Sequence, residues 1–226
     1  MMKGNRMMFF IFMLGTFTVG MAEYVVTGLL TQIASDMKVS ISSAGLLISV
    51  YAVSVALIGP FMRIFTMNVR AKRLLPILVA IFIGSNVVGM LAPNFQVLLL
   101  SRLLSASMHA PFFGVCMSVA AAVAPRGKQP QAIALVQAGL TIAVMIGVPF
   151  GSFLGGFANW RAVFGVMIGL AIITMLGMLK FVPDVSLSTE SNVKNELKVF
   201  KNPHILIVMA IIVFGYSGVF TTYTFM

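Results

Sequence analysis

Seven stretches of this chain are as long as a bilayer is thick and almost wholly apolar: Met7–Leu30, Ser42–Phe65, Leu74–Met90, Val97–Ala122, Gln131–Gly155, Ala162–Val182 and His204–Met226. About 20 apolar residues suffice to cross a hydrocarbon core of about 30 Å. Inside hydrocarbon every backbone N–H and C=O must bond within the chain, which leaves helices or a closed barrel. Barrel strands alternate apolar and polar residues over segments of about 10 positions, a pattern these runs lack. The expected fold class is therefore all-α: a polytopic membrane bundle of six helices, followed by a seventh. Little chain is left for anything else. Hydrophobic residues make up 60% and charged residues 9%, where a soluble domain carries about 25% charge.

The net charge of +10 does not point to nucleic acid, because the basic residues sit between the apolar runs and not along one face. Lys3 and Arg6 precede the first span, and Arg63, Arg70, Lys72 and Arg73 flank the loop after the second. Arg126 and Lys128 follow the fourth; Lys180, Lys194, Lys198 and Lys201 surround the loop after the sixth. The opposite connectors hold only Lys38 and Arg161. This asymmetry places the amino terminus and the even-numbered exits in the cytoplasm, with the chain in the cell membrane. The first apolar run is too long for a signal peptide and lacks a small-x-small cleavage site, so it is expected as a retained span. Cys116 is the single cysteine, which excludes an internal disulfide and a cysteine metal cluster.

Residues 1–182 are expected to form a six-helix bundle, 183–203 a cytoplasmic linker and 204–226 the seventh helix. Within the linker, NELKVFKNP has the pattern of a short amphipathic surface helix. The last span ends at Met226 without a tail. It reads as the opening of a second bundle, so a truncated product or fragment is one expectation, with the missing carboxy-terminal bundle as its partner.

Charge inside a span costs roughly 2.5–3.5 kcal/mol on insertion scales, so Glu23 and Arg102 need a reason. Measured from the expected outer ends of the first and fourth spans, both lie roughly 9–10 Å deep. A pair at equal depth relieves the cost of both charges. One reading is a titratable carboxyl that exchanges a proton for a substrate; the other is a structural ion pair, or an arginine that snorkels outward. His109 lies two turns beyond Arg102 on the same face, as a cavity lining or a hydrogen-bonded packing residue. Thr16, Gly20, Glu23 and Thr27 form a polar or small stripe on the first helix. Tyr51 offers a hydroxyl to a cavity or an aromatic packing surface. Pro111 is expected to loosen the fourth helix.

Small residues recur every fourth position in the fifth span (Gly139, Ala143, Gly147, Gly151, Gly155) and in the fourth (Ala106, Ala110, Gly114, Ser118, Ala122). Such ladders let helix backbones approach closely. Pro149 interrupts the first ladder, and the backbone hydrogen bond it removes marks a bend in the outer half suited to gating. The abundance of Met and Phe suits lipid contact, or an adaptable cavity.

Several segments together resemble the major facilitator superfamily, in particular its drug/proton antiporters of the arabinose-efflux-like and purine-efflux-like kind. They are GMAEYVVTGLLTQIASDMKVSISSAGLLISVYAVSVALIGP over the first two spans, SRLLSASMHAPFFG in the fourth with Arg102, GLTIAVMIGVPFGSFLGG in the fifth, and NWRAVF at the entry to the sixth. The resemblance covers the first half of such a carrier plus helix seven. The loop after the second span keeps Gly59 and the basic end Arg70, Lys72 and Arg73 of the family's G-x-x-x-D-R-x-G-R-R, without its acidic residue. Ser105 and Ala106 stand where glutamine and glycine are common, and Val148 separates Gly147 from Pro149.

The resemblance implies alternating access by two rocking bundles built of three-helix repeats. It implies proton-coupled efflux of a small molecule such as a drug, sugar or purine, with the proton gradient as energy source and no cofactor. Two alternatives stand beside it. The chain alone transports nothing, because the second bundle is missing; or Gly215-Tyr216-Ser217-Gly218, a G-x-S-G pattern, is the nucleophile of an intramembrane serine protease.

Overall fold

A computed structural model describes residues 3–66, 69–185 and 202–225 of the chain. They fall into two compact units, 1–187 and 188–226. Among the described residues all regular structure is helical. Among the described residues six helices are long and apolar enough to cross a membrane.

The first helix extends beyond its apolar run. α1 (Lys3–Tyr24) runs through a 3₁₀ segment, Val25–Leu29, into α2 (Leu30–Met37). The sequence reading ended this span at Leu30, where the apolar run stops. Beyond it, T-Q-I-A-S-D-M is amphipathic, and burial of Ile33 and Ala34 holds the extra turns in place. Lys38 then stops the helix in the left-handed region, at φ 54°, and its N–H caps the Ala34 and Ser35 carbonyls, as αL C-caps do.

The others follow as α3 (Ile41–Thr66), α4 (Ala71–Met90) and α5 (Phe95–Val123). The fifth span is α6 (Gln129–Ile142), a π segment (Ala143–Gly147) and α7 (Val148–Phe157) in one continuous rod. α8 (Trp160–Phe181) completes the first unit. Asn94 and Asn159 cap α5 and α8, accepting from the Val97 and Arg161 N–H groups at 3.0 and 2.9 Å, a standard use of asparagine. Both α3 and α5 continue through their internal prolines, Pro60 and Pro111. In the second unit α9 spans Pro203–Phe225. The expected amphipathic helix NELKVFKNP lies outside the described residues, except for its last two positions.

α1 packs against α6, α8 and α5, while α4 joins α8 to α5, and α5 carries α3. Phe9, Phe12, Phe82, Phe112 and Phe164 fill the space between them. α3 and the α6–α7 rod turn most of their surface outward, with Phe61, Phe65, Met145, Phe153 and Phe157 exposed.

The two small-residue ladders behave differently. Gly139, Gly147, Gly151 and Gly155 all face the first helix, against Met13 and Thr16, Met21, Val25 and Leu29 in turn. In α5 only the start of the ladder packs, where Ala110 meets Gly59. Gly114, Ser118 and Ala122 are exposed, which corrects the expectation of a packed ladder there. With 3.6 residues per turn, every fourth position drifts about 40° around a helix, and four steps carry it to the far side. The π segment in the fifth span takes more residues per turn and sets that phase back. It ends two residues before Pro149, whose missing N–H already breaks the α pattern.

Candidate functional site

Glu23, Tyr51, Arg102 and His109 come together midway along the bundle, from α1, α3 and α5. The Tyr51 hydroxyl lies 3.0 Å from His109 Nδ1, and the other ring nitrogen, Nε2, lies 3.7 Å from Glu23 Oε2. The imidazole stacks on Phe113 at 4.7 Å between centroids, with planes 8° apart. Arg102 places its guanidinium 4.2 Å above the Tyr51 ring.

The group is layered. Glu23 and His109 form the open side, with side chains 28% and 12% exposed. Tyr51 and Arg102 lie behind them at 2% and 1%. All three guanidinium nitrogens, and the neighbouring Ser105 hydroxyl, are buried without a hydrogen-bond partner. A buried cation facing only a ring is costly, so Arg102 acts on this site through its field and its attraction to the π face.

The expected direct pair of Glu23 with Arg102 does not form; the carboxylate faces His109. The cause is the length of the first helix. Glu23 lies 14 residues before its end at Met37, not seven, and His109 lies 14 residues after the start of α5 at Phe95. Both are thus about 21 Å from that end of the bundle at 1.5 Å per residue, while Arg102 sits two turns nearer to it.

Other expected cavity residues are committed to packing. The Thr16 hydroxyl donates to the Val136 carbonyl at 2.6 Å, across to α6. Gly20 lies against Leu140 and Ala143, and the Thr27 hydroxyl donates to the Tyr24 carbonyl. The stripe on helix one is real as a face, but α6 covers its Thr16 end, leaving Glu23 beside His109. Tyr51 directs its hydroxyl to His109 and not to open space. Pro149 is exposed, while Gly147, Gly151 and Gly155 are buried.

Two ionic contacts join segments distant in sequence. At the end of the bundle near Met37, the Asp36 carboxylate accepts from Trp160 Nε1 at 3.0 Å and from Arg161, whose second nitrogen donates to the Ala92 carbonyl at 3.1 Å. Arg161 also covers the Trp160 ring at 4.2 Å. The signal was the W-R pair opening the sixth span, but the acid it meets lay beyond the expected end of the first. At the basic end, Arg70 bonds Asp184 at 3.0 Å. The acid absent from the loop after the second span is thus supplied from the segment after α8. Lys72 and Arg73 stay exposed. Among the described residues no group of His, Cys, Asp and Glu is arranged to hold a metal ion.

The model of the Major Facilitator Superfamily matches residues 12–226. The chain is 46% identical over 220 residues to the uncharacterized MFS-type transporter YfhI of Bacillus subtilis, covering 97% of this chain and 55% of that protein. It is 38% identical over 212 residues to the inner membrane transport protein YdhP of Escherichia coli, covering 94% and 54%. A probable sugar efflux transporter of Helicobacter pylori is 34% identical over 216 residues, covering 96% and 55%. The chain thus spans about half the length of the curated relatives it matches.

Among solved structures, a peptide transporter POT in complex with sulfate matches with a TM-score of 0.68 at 14% identity, over 99% of this chain and 48% of that one. A bacterial homolog of the human lysosomal transporter Spinster matches with a TM-score of 0.69 at 18% identity, over 90% and 50%. These two likenesses concern the fold. The helical architecture, the family model and the relatives agree on a multi-pass membrane fold: the chain belongs to the major facilitator superfamily.

Proposed function

We propose that this chain is the amino-terminal part of a proton-coupled carrier that exports a small organic molecule, of the drug, sugar or purine kind, from the cell. The observation that carries this reading is a half-open carboxylate, Glu23, facing His109, with an unpaired guanidinium sealed behind Tyr51. Intramembrane ionisable groups of this kind serve proton relays and substrate paths. The probable sugar efflux transporters among the relatives favour export. The clustering of basic residues in one set of connectors favours a cell-membrane topology with the amino terminus in the cytoplasm.

In this mechanism Glu23 is ionised while the exported molecule is held, its charge balanced by the field of Arg102. A proton arriving from outside neutralises the carboxylate. The site then holds an uncompensated guanidinium, and a desolvated net charge is expensive, so the protonated carrier favours opening to water and release. The two bundles then rock about the midplane to reset. One proton entering down 100 mV contributes about 2.3 kcal/mol, equivalent to roughly fifty-fold accumulation.

The test is substrate-driven proton release from liposomes holding the complete carrier. Glu23→Gln, nearly isosteric and unable to ionise, is expected to abolish release while substrate still binds. Undiminished release in that variant refutes the role of Glu23.

A further inference from the structure

We propose that Tyr51 is a positioning residue that sets the tautomer of His109, directing the single N–H of the neutral imidazole at Glu23. The inference rests on the proton-coupling role of Glu23 for its functional meaning, but its geometry stands alone. His109 has two ring nitrogens with separate neighbours: Nδ1 faces the Tyr51 hydroxyl at 3.0 Å, and Nε2 faces the Glu23 carboxylate at 3.7 Å. Only one of the two carries a proton in the neutral ring.

If Nδ1 carried it, Nε2 would turn a bare lone pair toward the carboxylate oxygen, acceptor against acceptor. If the phenol donates to Nδ1, the proton resides on Nε2 and points along the Glu23 contact. The second arrangement makes the Tyr51–Nδ1 hydrogen bond and turns the ring N–H toward the carboxylate, an electrostatically favourable approach at 3.7 Å. A hydrogen bond at one imidazole nitrogen is the general means by which proteins choose the state of the other.

The ring is not free to evade the choice. Stacking on Phe113 fixes its plane, and Tyr51 meets it edge-on at 5.8 Å between centroids. Tyr51 is itself held by Arg102, stacked on its face at 4.2 Å. Arg102, which touches neither Glu23 nor His109 through a hydrogen bond, thus acts on both through the tyrosine it fixes.

The titratable and charged groups facing His109 are Glu23 on the first helix with Tyr24 beside it, Tyr51 on α3, and Arg102 on its own helix. α4 contributes Lys72 and Arg73, both in its first turn at the far end, and the sequence of α6 has none.

The test uses the full chain in lipid nanodiscs, labelled with ¹⁵N-histidine. The chain has two histidines, and His204→Gln assigns the pair. Ring nitrogen shifts separate protonated from bare positions, and the expected wild-type result is a proton on Nε2 and a bare Nδ1. Tyr51→Phe keeps the ring beneath Arg102 and removes the hydroxyl. It is expected to mix the two tautomers and to shift the pH midpoint of substrate-driven proton release in the complete carrier.

A proton on Nδ1 in the wild type overturns the proposal, and needs no variant to fold. So does a Tyr51→Phe protein with unchanged tautomer and unchanged pH midpoint, the outcome a merely structural role predicts. Failure of Glu23→Gln to affect proton release removes the coupling reading and leaves the tautomer result standing.

Discussion

Gly139→Ala adds one methyl group where the fifth span lies against the backbone of the first. The added Cβ meets the Met13 carbonyl and the Thr16 hydroxyl, and lies 2.8 Å from the Phe17 backbone nitrogen. Two of those three atoms are backbone, so relief requires one helix to shift against the other. Overpacking of this kind costs roughly 1–3 kcal/mol. The Thr16 hydroxyl also holds the buried 2.6 Å bond to the Val136 carbonyl, and its loss adds about 1 kcal/mol.

A combined cost of about 2–4 kcal/mol, at about 2–4 °C per kcal/mol for a chain of this size, lowers Tm by roughly 5–15 °C. Gly114→Ala is the matched control. It lies in α5 with nothing within 4 Å of an added Cβ, and alanine is the better helix former, so its Tm should not fall. Trp160 is the single tryptophan and is 2% exposed, so its emission reports melting without a label. If Gly139→Ala melts together with Gly114→Ala, the close approach of the two helices along the glycine ladder is refuted.

Two further outcomes follow from the polar contacts. Arg102→Met replaces a buried guanidinium that has no hydrogen-bond partner with an apolar side chain of similar length; Tm is expected to hold or rise while substrate-driven proton release is lost, and retained release refutes the role of its field. Asp36→Ala removes the acceptor of the Trp160 indole N–H; because Asp36 and Arg161 are 43% and 31% exposed, the cost should stay within about 1 kcal/mol, and the tryptophan emission should move to shorter wavelength, an unmoved spectrum refuting that contact.

The sequence by itself determined the number, order and type of helices in the bundle, because hydrocarbon leaves the backbone no alternative to internal bonding. It also singled out Glu23, Arg102, Tyr51 and His109, since polar groups stand out in spans built of Leu, Val, Ile, Phe and Met. What it left undetermined was who meets whom. The end of the first helix is amphipathic rather than apolar, so hydropathy stopped at Leu30 while the helix ran on to Met37. That difference moved Glu23 from the level of Arg102 to the level of His109.

The four-residue ladders in the fourth and fifth spans look alike as text. Only one stays on a single face, because a π segment absorbs the angular drift that leaves the other exposed. The partners of Arg161 and Arg70 are likewise tertiary facts: Asp36 and Asp184 lie more than a hundred positions away, and no local spacing announces a contact that depends on which helix ends meet. Composition decides that a chain enters the membrane; helix length, phase and crossing decide which charges face each other there.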